Sequence, residues 1–362
     1  MKRILILAAA ALVAGAACTK FESFSGDVQK EINFEVANRL TKATGVVYNN
    51  GAFGTYAWFN NTDPFMVNEK VDLTSGVWKT IDHTFYWPKT GSISFISYSP
   101  FSGPTPTIAK DKITYSAYTA ADVDVMYADK ATCSSNVNEV TDSDTADSGY
   151  SGVPTVFRHA LAKLSFDIKA NFIEYDDPVN NSHTEWEVTV NSAKLSGIKS
   201  TGELELNLNS DGKSWDKPVT TVGSTDFHVW TNLSGTVSDQ ELIPSTPIVL
   251  TTTAQSLNAA TGFIIPQVLE AGAQQLKLDI HIKTTLSNGL VIEEDFTPTI
   301  DIKDISTLQA WQMNENIHYT INIKPTASAD PSNTDNPEDV VITFDPAVAD
   351  WTDVSANATI QL

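Results

Sequence analysis

Cysteine is nearly missing from this chain of 362 residues, which has only Cys18 and Cys133. Two cysteines cannot build the disulfide framework of a small secreted domain, so a hydrophobic core must carry the fold. Histidine is scarce too, with six copies. No two of them (83, 159, 183, 228, 281, 318) stand at metal-ligand spacing, and neither HExxH nor CxxC occurs. No metal or other cofactor is therefore expected. Basic residues number 23 against 44 acidic ones, a formal net charge of -21. That balance argues against nucleic acid as a partner, because phosphate binding needs a basic patch. A GxSxG elbow, a phosphate loop and a dinucleotide fingerprint are all absent, and the chain does not read as an enzyme. Apolar runs of membrane-spanning length are also lacking, since residues 4–18 fall short of the roughly 20 needed.

What is present describes a folded, exported protein. With 41% hydrophobic and 9% aromatic residues, the chain is not a disordered acidic tail, and its length predicts about two domains. Lys2 and Arg3 precede an apolar stretch over residues 4–13, and Ala14-Gly15-Ala16-Ala17 leads directly to Cys18. This is a signal peptide over residues 1–17. A cysteine just after small residues resembles a bacterial lipobox, whose thiol takes a diacylglycerol. Gly15 stands where that pattern usually has Leu. Two readings follow: a relaxed lipobox with lipid on Cys18, or cleavage by a plain signal peptidase. Lipid would leave Cys133 alone, with no intrachain disulfide, and would supply the only membrane attachment of so acidic a chain. Residues 18–31 then form a polar, lipidated spacer.

From residue 32 the pattern is β. Apolar residues alternate in Ile32-Phe34-Val36, Leu164-Phe166-Ile168, Leu204-Leu206-Leu208, Leu276-Leu278-Ile280-Ile282 and Tyr319-Ile321-Ile323, the period-2 signature of half-buried strands. Asn49-Asn50-Gly51, Asp211-Gly212 and Asn288-Gly289 read as hairpin turns. Residues 128–151, 175–184 and 326–339 read as loops or linkers. Many short strands between turn signals predict an all-β fold of antiparallel sandwiches. The expected division is an N-terminal sandwich over 32–175, a C-terminal one over 176–325, and a tether with a final strand segment over 326–362.

Several side chains invite chemistry and have plainer explanations. His281 falls on the polar side of its strand. Asp142, Asp144 and Asp147 lack the glycine and terminal glutamate of a calcium loop. Glu203 and Glu205 alternate along one strand, as the wet face of a sheet does. Eight tryptophans could stack sugars, yet most sit among apolar neighbours and read as core.

One set of motifs carries a resemblance. Trp78, the run Phe85-Tyr86-Trp87-Pro88 and the run Phe95-Ile96-Ser97-Tyr98-Ser99-Pro100 are similar to an aromatic signature of the fimbrillins of type V pili, in their Mfa-like lipoprotein branch. Asp124-Val125-Met126-Tyr127-Ala128 and Phe157-Arg158-His159-Ala160-Leu161-Ala162-Lys163-Leu164 resemble two further blocks. Gly262-Phe263-Ile264-Ile265-Pro266-Gln267 resembles another, as do Trp311, Asn316 and Tyr319 together, and FDPAVADW from Phe344 to Trp351 resembles the last. The blocks follow the family's order along nearly all the exported chain.

The resemblance implies two tandem transthyretin-like β-sandwiches and export by the general secretory pathway as a palmitate-bearing lipoprotein of the outer membrane. It implies a cell-surface fimbrial subunit or pilus-associated adhesion protein, whose partners are other pilus subunits and a host or bacterial surface ligand. It also implies a proteolytic cut after a basic residue near the first strand. Arg39 suits an arginine-specific protease, whereas Lys42 occupies the family-like position; both also read as ordinary surface basics. The C-terminal segment, with Phe344 and Trp351 as anchors, reads as a donor strand for a neighbouring subunit or as a strand resting on its own chain. A surface glycan-binding lipoprotein using exposed aromatics is the alternative function, and a hydrolase a more distant one.

Overall fold

The computed structural model describes residues 31–37, 48, 50–134, 152–179, 181–208, 220–222, 225–243, 246–257, 263–306, 308–325 and 341–348. Cys18, Arg39, Lys42, Trp351, the Asp142–Asp147 cluster and the Asp211-Gly212 turn lie outside the described residues. Strands up to residue 134 are β1 (Asn33–Ala37), β2 (Phe53–Phe59), β3 (Asp63–Thr74), β4 (Val77–Thr80), β5 (Ser92–Ser99), β6 (Thr107–Ala109), β7 (Lys112–Thr119), β8 (Met126–Ala128) and β9 (Ala131–Ser134). Next come β10 (Val153–His159), β11 (Lys163–Ala170), β12 (Glu174–Asp177), β13 (Ser182–Ser196), β14 (Thr201–Asn207), β15 (Thr220–Val222), β16 (Thr225–Phe227) and β17 (Thr231–Ser234). The rest are β18 (Gln240–Glu241), β19 (Ile248–Val249), β20 (Gln255–Ser256), β21 (Gln267–Val268), β22 (Gln275–Leu286), β23 (Val291–Phe296), β24 (Thr299–Asp301), β25 (Ala310–Trp311), β26 (Asn316–Lys324) and β27 (Val341–Val348). Among the described residues the sole helix is α1 (Ile302–Ile305), and none is long and apolar enough to cross a membrane. The fold is all-β.

An eight-stranded sheet runs β2–β3–β4–β1–β10–β8–β5–β9, and β5 also pairs with β2. The order therefore closes on itself, which removes the free edges that an open sheet would expose. Its interior holds one apolar cluster, with Ile32, Phe34, Phe53, Met66, Phe95 and Phe157 among its members. A second cluster draws on Leu164, Phe166 and Ile168 of β11 and on Tyr319 and Ile321 of β26. It meets Val188 and Val190 of β13 and Leu276, Leu278 and Ile280 of β22. The sheet β20–β11–β26–β27 thus packs against the sheet built on β12–β13–β22–β23. Alternating burial along β11, β22 and β26 is what that packing demands of strands with one dry face. A third cluster joins Ile96 and Tyr127 to Ile113, Tyr115, Leu204, Leu206 and Trp230, and so backs the sheet β17–β14–β7–β6.

Three local features depart from the strand reading. β1 pairs with β10, and β11 with β26, in parallel, where antiparallel pairs are expected throughout; parallel neighbours need long crossovers, which these sequence separations supply. Within residues 175–184, Tyr175–Asp177 and Ser182–Thr184 pair antiparallel, with Tyr175 opposite Thr184, instead of forming a plain loop. Residues 128–151 include β9, which pairs with β5 from Ser92↔Ser134 to Phe95↔Ala131. Asn288-Gly289 behaves as read: it links β22 to β23, and Gly289 has φ +80, a backbone that glycine adopts without steric cost.

Candidate functional site

The first strand is short and deeply seated. β1 lies between β10, parallel, with Phe34 opposite Val153, and β4, antiparallel, with Phe34 opposite Trp78. Just before it the Ile32 N–H donates to the Phe85 carbonyl at 2.9 Å, and Glu31 bridges to Tyr86. Alternation sends Ile32 and Phe34 into the interior, where they are 1% and 4% exposed. The Phe34 ring meets Phe53 and Phe95 edge-on, each with centroids 5.7 Å apart. Burying two such side chains stabilises the fold by about 1.5–3 kcal/mol each.

The slot is cut to the strand. A Cβ on Gly152 would stand 2.7 Å from the Asn33 carbonyl oxygen, so glycine is what lets β1 approach. Beyond the segment that carries Arg39 and Lys42, Tyr48 closes over the same interior. Its ring stacks on Phe157 at 4.9 Å, and its hydroxyl shares a 2.7 Å hydrogen bond with Ser99 Oγ. Burial pushes the Tyr48 phenol up to about 12, so it stays neutral. A break in the chain between residues 37 and 48 would leave β1 held by backbone pairing and by the apolar side chains of Ile32, Phe34 and Val36.

The C-terminal candidate sits elsewhere. β27 pairs antiparallel with β26, from Ile317↔Val348 to Lys324↔Val341, which places Phe344 opposite Ile321. It borders the sheet β20–β11–β26–β27, whereas β1 belongs to the closed sheet. The two candidate elements are therefore not brought together within one chain.

The plainer readings of the other residues can be compared with geometry. His281 Nδ1 lies 2.8 Å from Asp295 Oδ1 across β22 and β23. His159 Nδ1 lies 2.9 Å from Asp124 Oδ1. Glu203 and Glu205 point outward from β14; Glu205 pairs with Lys112 at 2.6 Å and Glu203 accepts from Asn232. Among the described residues, no three His, Cys, Asp or Glu side chains converge as metal ligands would. Six tryptophans are described, and Trp87, Trp186, Trp230 and Trp311 are buried while Trp58 and Trp78 are half-buried. Gly152 and Tyr48 were invisible to sequence reasoning, because only the folded chain sets Gly152 against β1 and Tyr48 against Phe157 and Ser99.

A family model described as fimbrillin-like matches residues 41–351. No curated protein matches the chain in sequence. A fimbrial protein from Bacteroides vulgatus is similar in structure at a TM-score of 0.52 and 16% identity, covering 89% of this chain and 99% of that one. The fimbrial anchor protein Mfa2 from Porphyromonas gingivalis is similar at a TM-score of 0.32 and 10% identity, covering 92% of this chain and 100% of that one.

Proposed function

This chain belongs to the fimbrillin-like family, and from that membership we propose that it is a fimbrial subunit of the cell surface, exported under its leader, held to the outer membrane by lipid on Cys18, and joined to other pilus subunits by strand addition. The observation that carries strand addition is the seat of β1. Removing that strand opens the closed sheet between β4 and β10 and uncovers the pockets of Ile32 and Phe34. Leaving buried backbone groups unpaired costs about 1–3 kcal/mol each, so the opened slot strongly favours any strand that refills it. Backbone bonding would supply affinity, and alternate apolar side chains would set register.

Arg39, with Lys42 as the second candidate, is the cut that frees β1. The segment from β27 onward is the donor, with Phe344 and Trp351 as its anchors. Its residues 341–348 rest on β26 of their own chain. The two-domain organisation belongs to the same proposal. Its support is that one core is drawn wholly from residues between Ile32 and Phe157 and another wholly from residues between Ala162 and Ile323. β11 packs in the second although a division after residue 175 assigns it to the first, and a third core joins Ile96 and Tyr127 to Leu204 and Trp230 across that division.

The deciding experiment places one cysteine in residues 341–362 and another in the slot beside β10. Crosslinks between subunits in the polymer support donation, and crosslinks only within one chain overturn it. N-terminal sequencing of assembled protein should begin at Leu40 or Ala43, and a start at Cys18 alone would mean that β1 is never released. Cys18→Ser should abolish palmitate labelling; unchanged labelling ends the lipid claim. Immunogold labels along filaments would identify a stalk subunit, and labels only at filament ends a tip or anchor.

A further inference from the structure

Lys130, in the turn between β8 and β9, is only 8% exposed, although lysine is almost never fully buried without a partner. Its Nζ has two partners from two other turns. It forms an ion pair with the Asp111 carboxylate, in the turn between β6 and β7. It also donates to Asn61 Oδ1 at 3.2 Å, in the turn between β2 and β3. Asn61 and Asp111 both hold left-handed backbone, with φ 58 and 64, which Asn and Asp tolerate better than other residues with a Cβ. The neighbouring acid, Asp129, is taken by Arg158 through contacts of 2.7 and 2.8 Å. An amine, a carboxamide and a carboxylate are thus grouped on their own at the meeting of three turns.

Those three groups are what an intramolecular amide exchange needs. We propose that Lys130 and Asn61 join in an isopeptide bond, with Asp111 as the proton carrier. The Lys130 side chain is enclosed while that of Asp111 is 38% exposed, so the carboxylate side of the pair stays open to water, into which ammonia can leave. Asp111 accepts a proton from Nζ, and the freed lone pair attacks Asn61 Cγ to form the new C–N bond. A proton passes by way of Asp111 to Nδ2, the Cγ–Nδ2 bond breaks, and ammonia leaves. Amine plus carboxamide becomes secondary amide plus ammonia, with no oxidation or reduction and no co-reactant. Held contact of the reacting groups replaces a bimolecular encounter, which removes part of the barrier such reactions face.

The bond would fasten two turns 69 residues apart. Among the described residues Cys133 is a free, buried cysteine, and burial pushes its thiol up to about 12, so it offers no competing crosslink. The proposal stands on this geometry and does not depend on the pilus reading.

The test is the intact mass of the purified, folded chain. The expected value is the sequence mass less one ammonia, with a branched peptide joining Lys130 to Asn61 after digestion. Lys130→Met and Asn61→Ala should each restore the full mass. Asp111→Asn should restore it while keeping both side chains that would be joined, and wild-type protein needs no variant to fold. A full wild-type mass overturns the proposal and leaves Lys130 an ion-paired pin. A mass deficit mapped to any other residue overturns it as well.

Discussion

β1 and β27 belong to their sheets in opposite ways. β1 has a neighbour on each side, and the side chains around it, Ile32 and Phe34, are swallowed by the interior. β27 has β26 on one side and, among the described residues, no strand on the other. A strand inside a closed sheet cannot leave without breaking two ladders and opening a core, whereas a strand at a border breaks one. The difference teaches which of the two can detach readily and which is locked in by its neighbours.

That contrast can be broken outright by deleting residues 18–37. The loss should be comparable with the whole stability of a domain, on the order of 5 kcal/mol or more, read as collapse of the urea transition for the closed sheet. A synthetic peptide spanning residues 31–37 should restore it, and an unchanged transition would show that β1 is ornamental. Phe34→Ala should cost about 3–5 kcal/mol, since it empties a pocket between Phe53 and Phe95. Gly152→Ala should cost about 1–3 kcal/mol by overpacking and should make β1 more sensitive to protease than the rest of the sheet. Deleting residues 341–362 should cost only about 1 kcal/mol, as expected of an element at the low-stability end of the fold. A larger cost than that of Phe34→Ala would reverse the comparison.

The smallest effect is one of pH, at the entrance to β26. Glu315 is 5% exposed and accepts from the Gln312 N–H at 2.9 Å and from its Nε2 at 3.0 Å. Burial outweighs those bonds and raises its carboxyl above the ordinary range. A raised acid favours the protonated folded state, so its contribution is present at low pH and is lost as pH rises through the folded pKa. Glu315→Gln should flatten that decline, with the variant gaining on the wild type as pH rises in urea titrations. An identical pH slope in both proteins would remove Glu315 from the account.

Legibility followed burial pattern. Where a strand has one dry face, as in β11, β14, β22 and β26, alternation announces it and the observed burial repeats the same residues. β5 is buried on both faces, and the alternation of serine with apolar residues in SISFISYS changes phase between Phe95 and Ile96, so it enters the reading only through an aromatic motif. Trp87-Pro88 reads as the end of a core-facing strand; Trp87 is buried against Phe95, but only a single bridge at Tyr86 precedes it. The hairpin of β12 and β13 was hidden because β12 is exposed and acidic. Of the candidate site, Ile32 and Phe34 were legible by spacing, while Gly152, Tyr48 and the grouping of Lys130, Asp111 and Asn61 were not.

Taken alone, the sequence determined that the protein is all-β and acidic and that it belongs with the fimbrillins, because period, charge and ordered motifs are properties of the chain read in one dimension. Only the tertiary structure decided that β1 closes a sheet between β4 and β10, that β11 pairs in parallel with β26, and that three distant turns meet at Lys130. Each of those pairings joins segments far apart in the chain. Local pattern says which face of a strand is dry, and only the packing of the whole chain says which neighbour dries it.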